Sequence, residues 1–433
     1  MGLEMGKVAV FGDGPAGLVA AEEARSQGCE VDLYVTEGGR KPRSIYTTDQ
    51  GVGGNRVLER LEPGKRRDLG YVRVVTTAGT DFRVQASQTS FFMLDYPGWV
   101  RDYRSKLRRK GVHELVVPKW KYRDLRVSEG PSGVEIRVDG VGGKYDAVLD
   151  CTGVGAEVVK RADPSRRDES FFAECVYGGI YRGSLDRQEM ILVLGPAGGT
   201  SWINPSMTPG YIDVVYSAFG PVGWGRDKEF WQKAPGRLRK LVQFAGGLPG
   251  VEIADGHSEE IYTGVIRNQP AGLPTTRRVY AVGEAAGMAR AGFSDSFRRA
   301  ATGGVWAAES VVGGRDAQEF SRQWRGKMVD ELTLAASIVR AGLQSPEKLG
   351  GIFDLARTWM EGGEADRLAR LFEGYVVEQK MSLELMLRCL TSRTTALAVM
   401  KTVAKMAEIK LRGVEEVSPR RWTVNDGEEL VRG

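Results

Sequence analysis

The chain has 433 residues, 42% of them hydrophobic, so it can bury a sizeable core and is expected to form two or three domains. Its 61 basic and 56 acidic residues give a formal net charge of +5, a balance too even to favour nucleic-acid binding. Two histidines and four cysteines without CxxC spacing argue against a metal centre or a disulfide framework, and no apolar stretch reaches the ~18 residues of a membrane span, so a cytoplasmic protein is expected.

The first predicted unit is a strand, a glycine-rich loop and a helix near the N-terminus. Lys7–Phe11 is an apolar strand, and Pro15–Gln27 is the helix that follows it. Of the three loop glycines, the first permits a tight turn, the second lets a pyrophosphate approach the backbone, and the third allows the helix to pack closely on the strand. This spacing predicts a dinucleotide-binding loop. Its candidate residues are Gly12, Gly14, Pro15, Ala16 and Gly17.

A second parallel strand is predicted at Glu30–Val35, where the apolar character suits a sheet buried on both faces. Dinucleotide-binding sheets usually end this strand with an acidic residue that binds the ribose, but counting from Gly12 puts Val35 at that position. Glu37, two residues later, is the substitute that we predict, and a solvated loop acid is the alternative interpretation.

Further along, Asp95–Gly111 is predicted to be a basic helix, and His113–Val117 a strand of the same sheet, with Val117 as a cofactor-binding candidate at its end. Leu125–Asp150 alternates apolar and polar residues, which predicts a β-meander. This meander leads the chain back to the nucleotide-binding sheet at Asp150-Cys151-Thr152-Gly153. We interpret Cys151 as a small packed residue in preference to a nucleophile.

Ser170–Phe219 is rich in β-branched and aromatic residues and predicts an antiparallel sheet, the candidate substrate domain. A second glycine signature, Val279–Gly287, follows, and Ala317 to about Arg412 has helical periodicity. The expected fold is α/β, with a substrate part of α+β type. The predicted domains are a discontinuous nucleotide-binding domain (1–169 and 265–316), a substrate domain (170–264), a helical C-terminal region (317–412) and a polar tail (413–433).

Three segments together carry a resemblance to a known family. They are the Gly12–Gly17 loop, the run Gly283–Ala308, and Thr200-Ser201-Trp202-Ile203-Asn204-Pro205, which is similar to an aromatic Y-x-W-x-F-P motif with Thr200 for Tyr and Asn204 for Phe. The chain resembles the geranylgeranyl reductase family of FAD-dependent oxidoreductases, within the aromatic-hydroxylase-like flavoproteins. The resemblance implies a Rossmann-like FAD-binding domain without a separate NADPH domain.

The same resemblance implies a set of flavin-binding residues, several of them replaced in this chain. Glu284, between Gly283 and Gly287, stands where the family has the Asp that holds the ribityl chain. Other replacements lie on two segments. In Lys41-Pro42-Arg43-Ser44 the family's cysteine is Arg43, either a cation that favours the anionic reduced flavin or a surface salt-bridge partner. In Ser294-Asp295-Ser296 the serines replace glycines over the flavin, or else cap a helix with their amides facing the flavin pyrimidine. Asp295 is either a proton donor or a complement to the helix dipole.

The function implied is hydride transfer from reduced FAD to a double bond of a polyprenyl lipid, with Trp202, Asn204 and Pro205 lining an apolar tunnel; the electron donor stays open. For Trp202 the alternative is an ordinary core aromatic. Alternative functions are an FAD monooxygenase, in which Asp150–Gly153 would touch a nicotinamide, a flavin-dependent polyprenyl or carotenoid cyclase, and a non-catalytic flavin- or lipid-binding protein. The Met, Leu and aromatic residues of Ile352–Met406, interleaved with Lys and Arg, predict either peripheral membrane contact or plain helix packing.

Overall fold

The structure is a computed structural model, and it describes most of the first three quarters of the chain. The described residues are 6–37, 44–48, 54–76, 81–85, 91–166, 171–185, 189–194, 200–222, 228–268, 270–289 and 297–328. The predictions for Lys41, Arg43, the Ser294–Ser296 turn and residues 329–433 lie outside them. Residues 317–328, the start of the predicted helical region, are helical.

The described residues form six α-helices and eighteen strands in addition to the 317–328 helix. The helices are α1 (Pro15–Ser26), α2 (Gly54–Leu61), α3 (Tyr96–Arg109), α4 (Val159–Ala162), α5 (Lys228–Gly246) and α6 (Phe297–Val312). The strands are β1 (Lys7–Phe11), β2 (Glu30–Glu37), β3 (Ser44–Thr48), β4 (Lys65–Leu69), β5 (Tyr71–Thr76), β6 (Asp81–Gln85), β7 (Phe91–Asp95), β8 (His113–Pro118), β9 (Arg126–Gly130), β10 (Gly133–Val138), β11 (Val141–Tyr145), β12 (Ala147–Asp150), β13 (Phe171–Leu185), β14 (Glu189–Leu194), β15 (Thr200–Pro205), β16 (Tyr211–Val222), β17 (Val251–Arg267) and β18 (Val279–Ala281).

The nucleotide-binding part is a parallel sheet of five strands in the order β18-β12-β1-β2-β8. Its apolar strands are buried because α1, backed by α6, packs on the sheet and the strands of residues 133–145 also contact it. The two helices approach closely through small residues, since a Cβ on Gly304 would lie 2.4 Å from the carbonyl oxygen of Ala16. The predicted Rossmann-like α/β arrangement is confirmed, and the carboxyl ends of β1, β12 and β18 meet at one edge.

The second large element is a sheet of seven strands in the order β17-β13-β16-β15-β14-β5-β6. One face packs against α5, with Ile203, Val214 and Leu238 in the shared core. The strands predicted within Ser170–Phe219 pair antiparallel, as expected, but the whole sheet is mixed because β14 also pairs in parallel with β5, from outside that range. Its strands β5 and β6 come from residues 71–85, which the predicted boundaries assign to the nucleotide-binding domain. No local sequence pattern predicts that β5 pairs with β14, because the two strands are more than 100 residues apart.

Two sheets of three strands complete the described fold. The predicted meander forms β11-β10-β9. The sheet β3-β7-β4 was not predicted, and its strand β7 leads directly into α3, whose first turn is capped by Asp95 accepting a hydrogen bond from the Gly98 amide at 3.0 Å. In this part of the chain, none of the helices combines the length and apolar character needed to cross a bilayer.

A buried ion cluster fixes α1, and with it the glycine-rich loop, against α2 and α3. Glu22 on α1 is 4% exposed and accepts hydrogen bonds from Lys110 at 2.5 Å and from the Tyr103 hydroxyl, with Lys106 at 2.7 Å. Burial opposes ionisation of Glu22, but the hydrogen bonds from Lys106, Lys110 and Tyr103 outweigh it and lower its pKa to about 2. The neighbouring Glu23 binds Arg56 and Arg60 of α2.

We expect this cluster to make the protein acid-sensitive. Because the folded pKa of Glu22 lies below its unfolded value of 4.5, its contribution is complete above pH 4.5 and is lost as the pH falls toward 2. Between pH 7 and pH 3 the loss is about 2 kcal/mol of unfolding free energy. Urea unfolding of Glu22→Gln at both pH values should therefore show a smaller pH dependence than that of the parent chain by about this amount. Equal pH dependence in the two proteins would contradict the assignment.

Candidate active site

The glycine-rich loop has the backbone geometry that only glycine allows at two of its positions. Gly12 has φ +105°, and a Cβ there would lie 2.4 Å from the carbonyl oxygen of Cys151. A Cβ on Gly17 would lie 1.9 Å from the Gly12 carbonyl oxygen. These two glycines therefore serve the fold itself, by joining β1, α1 and the end of β12 tightly. Cys151 is buried, and burial raises the pKa of its thiol, as suits a packed residue.

Gly14 differs from the other two loop glycines because its surroundings are open. It is the N-cap of α1 and has an extended backbone, and because glycine has no side chain it leaves the amides of the first turn uncapped. Pro15 and Ala16 begin the helix. The closest group to a Cβ on Gly14 would be the Tyr96 hydroxyl at 3.6 Å, an ordinary contact. The first amides of α1 are thus reachable past Gly14, which is the arrangement that binds a pyrophosphate.

Two further glycine turns meet this loop at the same edge of the parallel sheet. Gly283, with φ +65°, begins the turn that carries Glu284, and Gly287, with φ +74°, ends it. Gly153 follows β12 with φ +73°, and the Oε2 atom of Glu284 lies 3.8 Å from the position of a Cβ on Gly153. A Cβ on Gly283 would also lie 3.1 Å from the Cβ of Ala16, so the first and second signatures are adjacent in space.

Side chains of α3 also lie at this edge, and no sequence pattern predicted them. Tyr96 is 7% exposed and stands in an aromatic cluster with Trp99 and Phe297. Burial raises the pKa of Tyr96, and the nearby carboxylates of Asp13 and Glu284 raise it further, so its phenol stays protonated and can donate a hydrogen bond. The charge pattern predicted a basic helix but could not indicate which side chains face the loop.

Arg104, two turns after Tyr96, brings a cation to the loop. Its Nη1 lies 3.4 Å from Oδ2 of Asp13, and its Nε donates a hydrogen bond to Glu114 at 3.1 Å. The pKa of Glu114 is lowered by the hydrogen bond from Arg104. Arg104 is thus held in place beside the loop by one carboxylate on each side.

The remaining cofactor candidates lie at the ends of β2 and β8. The second strand continues past the predicted Val35 to Glu37, which pairs with Pro118, while Thr36 pairs with Val117. Glu37 and Val117 are therefore neighbours at the carboxyl edge of the sheet, on the side away from Glu284. Val117 is 1% exposed. The side chain of Glu37 and the residues Lys41, Arg43, Ser294, Asp295 and Ser296 lie outside what the structure describes.

The carboxylate of Asp150 is hydrogen-bonded to the backbone of the loop that follows it. Its carboxylate accepts hydrogen bonds from the amides of Thr152 (3.0 Å), Val158 (2.9 Å) and Val159 (2.8 Å), and from the Thr152 hydroxyl (2.6 Å). Burial raises its pKa despite these bonds, and the residue is 0% exposed. The side chain of Asp150 therefore stabilises the turn at Gly153, and contact of the Asp150–Gly153 turn with a nicotinamide stays a prediction.

Replacing Asp150 should test this structural role. Asp150→Asn keeps the shape but turns an NH2 group toward amides that need an acceptor, so we expect a loss of about 2 kcal/mol of unfolding free energy. Urea unfolding of the two proteins measures the difference. An unchanged or higher stability would mean that the loop does not depend on these hydrogen bonds.

The predicted substrate residues divide between the two faces of β15. Side chains alternate along a strand, and Ile203 belongs to the core with α5, so Trp202 and Asn204 lie on the opposite face while Pro205 lies on the α5 side. Trp202 is 8% and Asn204 6% exposed. Pro205 is thus not brought together with the other two on one surface.

Across the strands, Trp202 lies in a row of neighbours on the face away from α5. It pairs with Val215, which pairs with Gly178, which pairs with Tyr262. The Tyr262 ring lies over Gly178, because a Cβ there would be 2.5 Å from its Cζ atom. At the end of the sheet, β17 contacts the turns at Gly153 and Gly283, so the large sheet adjoins the edge that carries the glycine loops.

Similar architectures occur among solved protein structures. No family model matches the chain, and no curated protein matches it. Among solved structures, a geranylgeranyl bacteriochlorophyll reductase-like protein from Thermoplasma acidophilum matches with a TM-score of 0.63 at 16% identity, over 94% of this chain and 100% of that one. A flavin-dependent brominase, Bmp2, matches with a TM-score of 0.60 at 14% identity, over 95% and 100%. A flavoprotein/dehydrogenase from Cytophaga hutchinsonii matches with a TM-score of 0.55 at 14% identity, over 81% and 88%.

These matches define the class of fold: the chain has the α/β architecture of flavoprotein oxidoreductases and hydroxylases. The resemblance to the geranylgeranyl reductase family inferred from three sequence segments is confirmed at the level of the fold, since the match to the reductase-like structure covers nearly the whole of both chains.

Proposed function

We propose that this protein is an FAD-dependent oxidoreductase that reduces double bonds of a polyprenyl lipid of the geranylgeranyl type. The observation that carries the proposal is the meeting of three glycine turns at the carboxyl edge of the parallel sheet, with Gly14 open to the amides of α1. The fold shared with flavoproteins supports FAD as the ligand, since their likeness covers both the nucleotide-binding sheet and the larger sheet beside it.

The residues at this edge fit such a cofactor. Gly14 leaves room for a pyrophosphate at the start of α1, Arg104 offsets the negative charge of Asp13 beside the loop, and Glu284 can accept hydrogen bonds from the hydroxyls of a ribityl chain. Glu37 is the candidate partner for the ribose at the other side of the sheet. When bound, FAD supplies hydride or electron transfer.

The remaining chemistry belongs to the protein's own residues. Tyr96, kept protonated by burial, can donate a hydrogen bond toward Gly14 and so orient the bound group. Trp202 and Val215 present an apolar surface that holds the substrate and excludes water. A proton is needed to complete the reduction and comes from water or an acid; Asp295 is the candidate acid and lies outside the described residues.

A second candidate is a flavin-dependent monooxygenase. It is favoured by the buried polar pair Asn204 and Asp213 on the proposed substrate face, which suits a substrate more polar than a hydrocarbon chain.

The first proposal also includes an isoprenoid or other apolar small molecule as partner and peripheral membrane contact through Ile352–Met406. Those residues lie outside the described part of the chain.

One anaerobic experiment separates the candidates. The flavin-loaded protein is reduced without oxygen, and a geranylgeranyl lipid or its saturated analogue is added. Reoxidation by the unsaturated lipid alone would support the reductase, and hydroxylation only after oxygen is admitted would support the monooxygenase. A product isomer with unchanged redox state would indicate a cyclase, and no reaction with any lipid or with oxygen would leave a binding protein.

A further inference from the structure

Asn204 buries a polar atom for which the described protein provides no partner. The residue is 6% exposed, and its Oδ1 accepts no hydrogen bond. Burying an unpaired carbonyl oxygen costs free energy, so folded proteins rarely keep one without a reason. Asn204 also stands where the resembling family has an apolar Phe, so the amide is a departure of this particular chain.

The position of Asn204 gives that oxygen a defined neighbourhood. In the strand register Asn204 lies directly opposite Asp213 on β16, and cross-strand neighbours of this kind have their Cβ atoms about 5 Å apart. Both side chains lie on the face away from α5. Asp213 is 6% exposed, so the two form an acceptor-rich pair within a buried surface.

The next row of the same face is apolar. Trp202 lies two residues before Asn204 on β15, and Val215 lies two residues after Asp213 on β16. The two rows are therefore about 7 Å apart along each strand. Gly178 continues this row with no side chain of its own, and the Tyr262 ring covers it. The apolar row and the polar pair thus lie next to each other on one buried face, within the span of a single small molecule.

We propose that Asn204, with Asp213 beside it, binds a hydroxyl group of the substrate that donates a hydrogen bond, while Trp202 and Val215 hold the apolar part. The substrate is then amphipathic, a prenyl alcohol in preference to a pure hydrocarbon or a capped prenyl ether. This inference rests on the proposed function for the identity of the apolar part. The claim about Asn204 stands on its own burial and geometry.

The binding test compares ligands that carry a hydroxyl group with matched methyl ethers that cannot donate a hydrogen bond. Geranylgeraniol and geranylgeranyl methyl ether are titrated into the flavin-loaded protein, as are 4-octylphenol and 4-octylanisole, with binding followed by the change in the flavin spectrum. We expect the parent protein to prefer the hydroxyl member of whichever pair binds, by about tenfold or more. Asn204→Leu, of similar size, should lose that preference. Ile203→Val, on the opposite face, should keep it.

The melting temperature of the ligand-free protein gives a readout that needs no substrate. If the amide oxygen is unpaired until substrate binds, Asn204→Leu should melt at the same or a higher temperature than the parent. A lower melting temperature, or an unchanged preference for the hydroxyl member, would overturn the proposal. If the octylphenol pair binds and the geranylgeranyl pair does not, the polyprenyl assignment fails while Asn204 is still tested. If no probe binds, the melting temperature alone decides.

Discussion

Gly14→Val is expected to abolish flavin binding while leaving the fold intact. Among the described residues, a Cβ at Gly14 meets the Tyr96 hydroxyl at 3.6 Å, an ordinary contact, so branching at this position starts without a clash. The side chain would instead block the pyrophosphate, because the phosphates must reach the amides at the start of α1 past this residue. We expect the affinity for FAD to fall by about a hundredfold or more, which corresponds to about 3 kcal/mol.

Two other glycine variants make the result specific. Gly246→Ala, at the exposed end of α5 with no described residue within 4 Å of the added Cβ, should keep full flavin content. Gly12→Ala should instead lower stability, because its Cβ would clash with the Cys151 carbonyl oxygen at 2.4 Å and its φ of +105° is unfavourable for alanine. Full flavin content in a folded Gly14→Val protein would refute the assignment of the loop.

Trp202→Ala is expected to lower turnover of long isoprenoids strongly while folding and flavin content stay nearly intact. The indole lies on the face of β15 away from the α5 core, in a row with Val215 and Gly178. If it holds the substrate, truncation removes contacts made in the reacting complex, and single-turnover reoxidation should slow by about tenfold or more. Melting temperature, flavin content and reoxidation are measured on one preparation.

The next residue along the strand is a matched control. Ile203 is 0% exposed in the core with α5, so Ile203→Ala should cost about 2 to 5 kcal/mol of stability without changing reoxidation by the folded fraction. If Trp202→Ala instead loses a similar amount of stability and reoxidises at the parent rate with every isoprenoid tested, Trp202 is a core residue. The likeness to the reductases would then end at the cofactor.

The parts of the fold that could be predicted are those whose physical cause is local. β1, α1 and the turn at Glu284 each follow from a local pattern, in which an apolar run is followed within about ten residues by a glycine spacing. The family resemblance implied that both glycine signatures bind one cofactor, and the structure shows why they meet, since parallel strands present their carboxyl ends at one edge.

What could not be predicted depends on contacts between distant segments. The parallel pairing of β5 with β14 and the approach of Tyr96 and Arg104 to the loop have no local signature, because periodicity indicates a buried face but not its partner. The two faces of β15 could have been predicted from the sequence. Side chains alternate along a strand, which separates Pro205 from Trp202 and Asn204, although all three were predicted to line one tunnel.

The central claim is that this chain binds FAD at the edge formed by its glycine turns, and the absorption spectrum of the purified protein tests it most directly. We predict the two visible bands of oxidised flavin, or their appearance with a shifted spectrum when FAD is added to colourless protein, and release of FAD on denaturation. Colourless protein whose addition leaves the spectrum and fluorescence of free FAD unchanged would contradict the account.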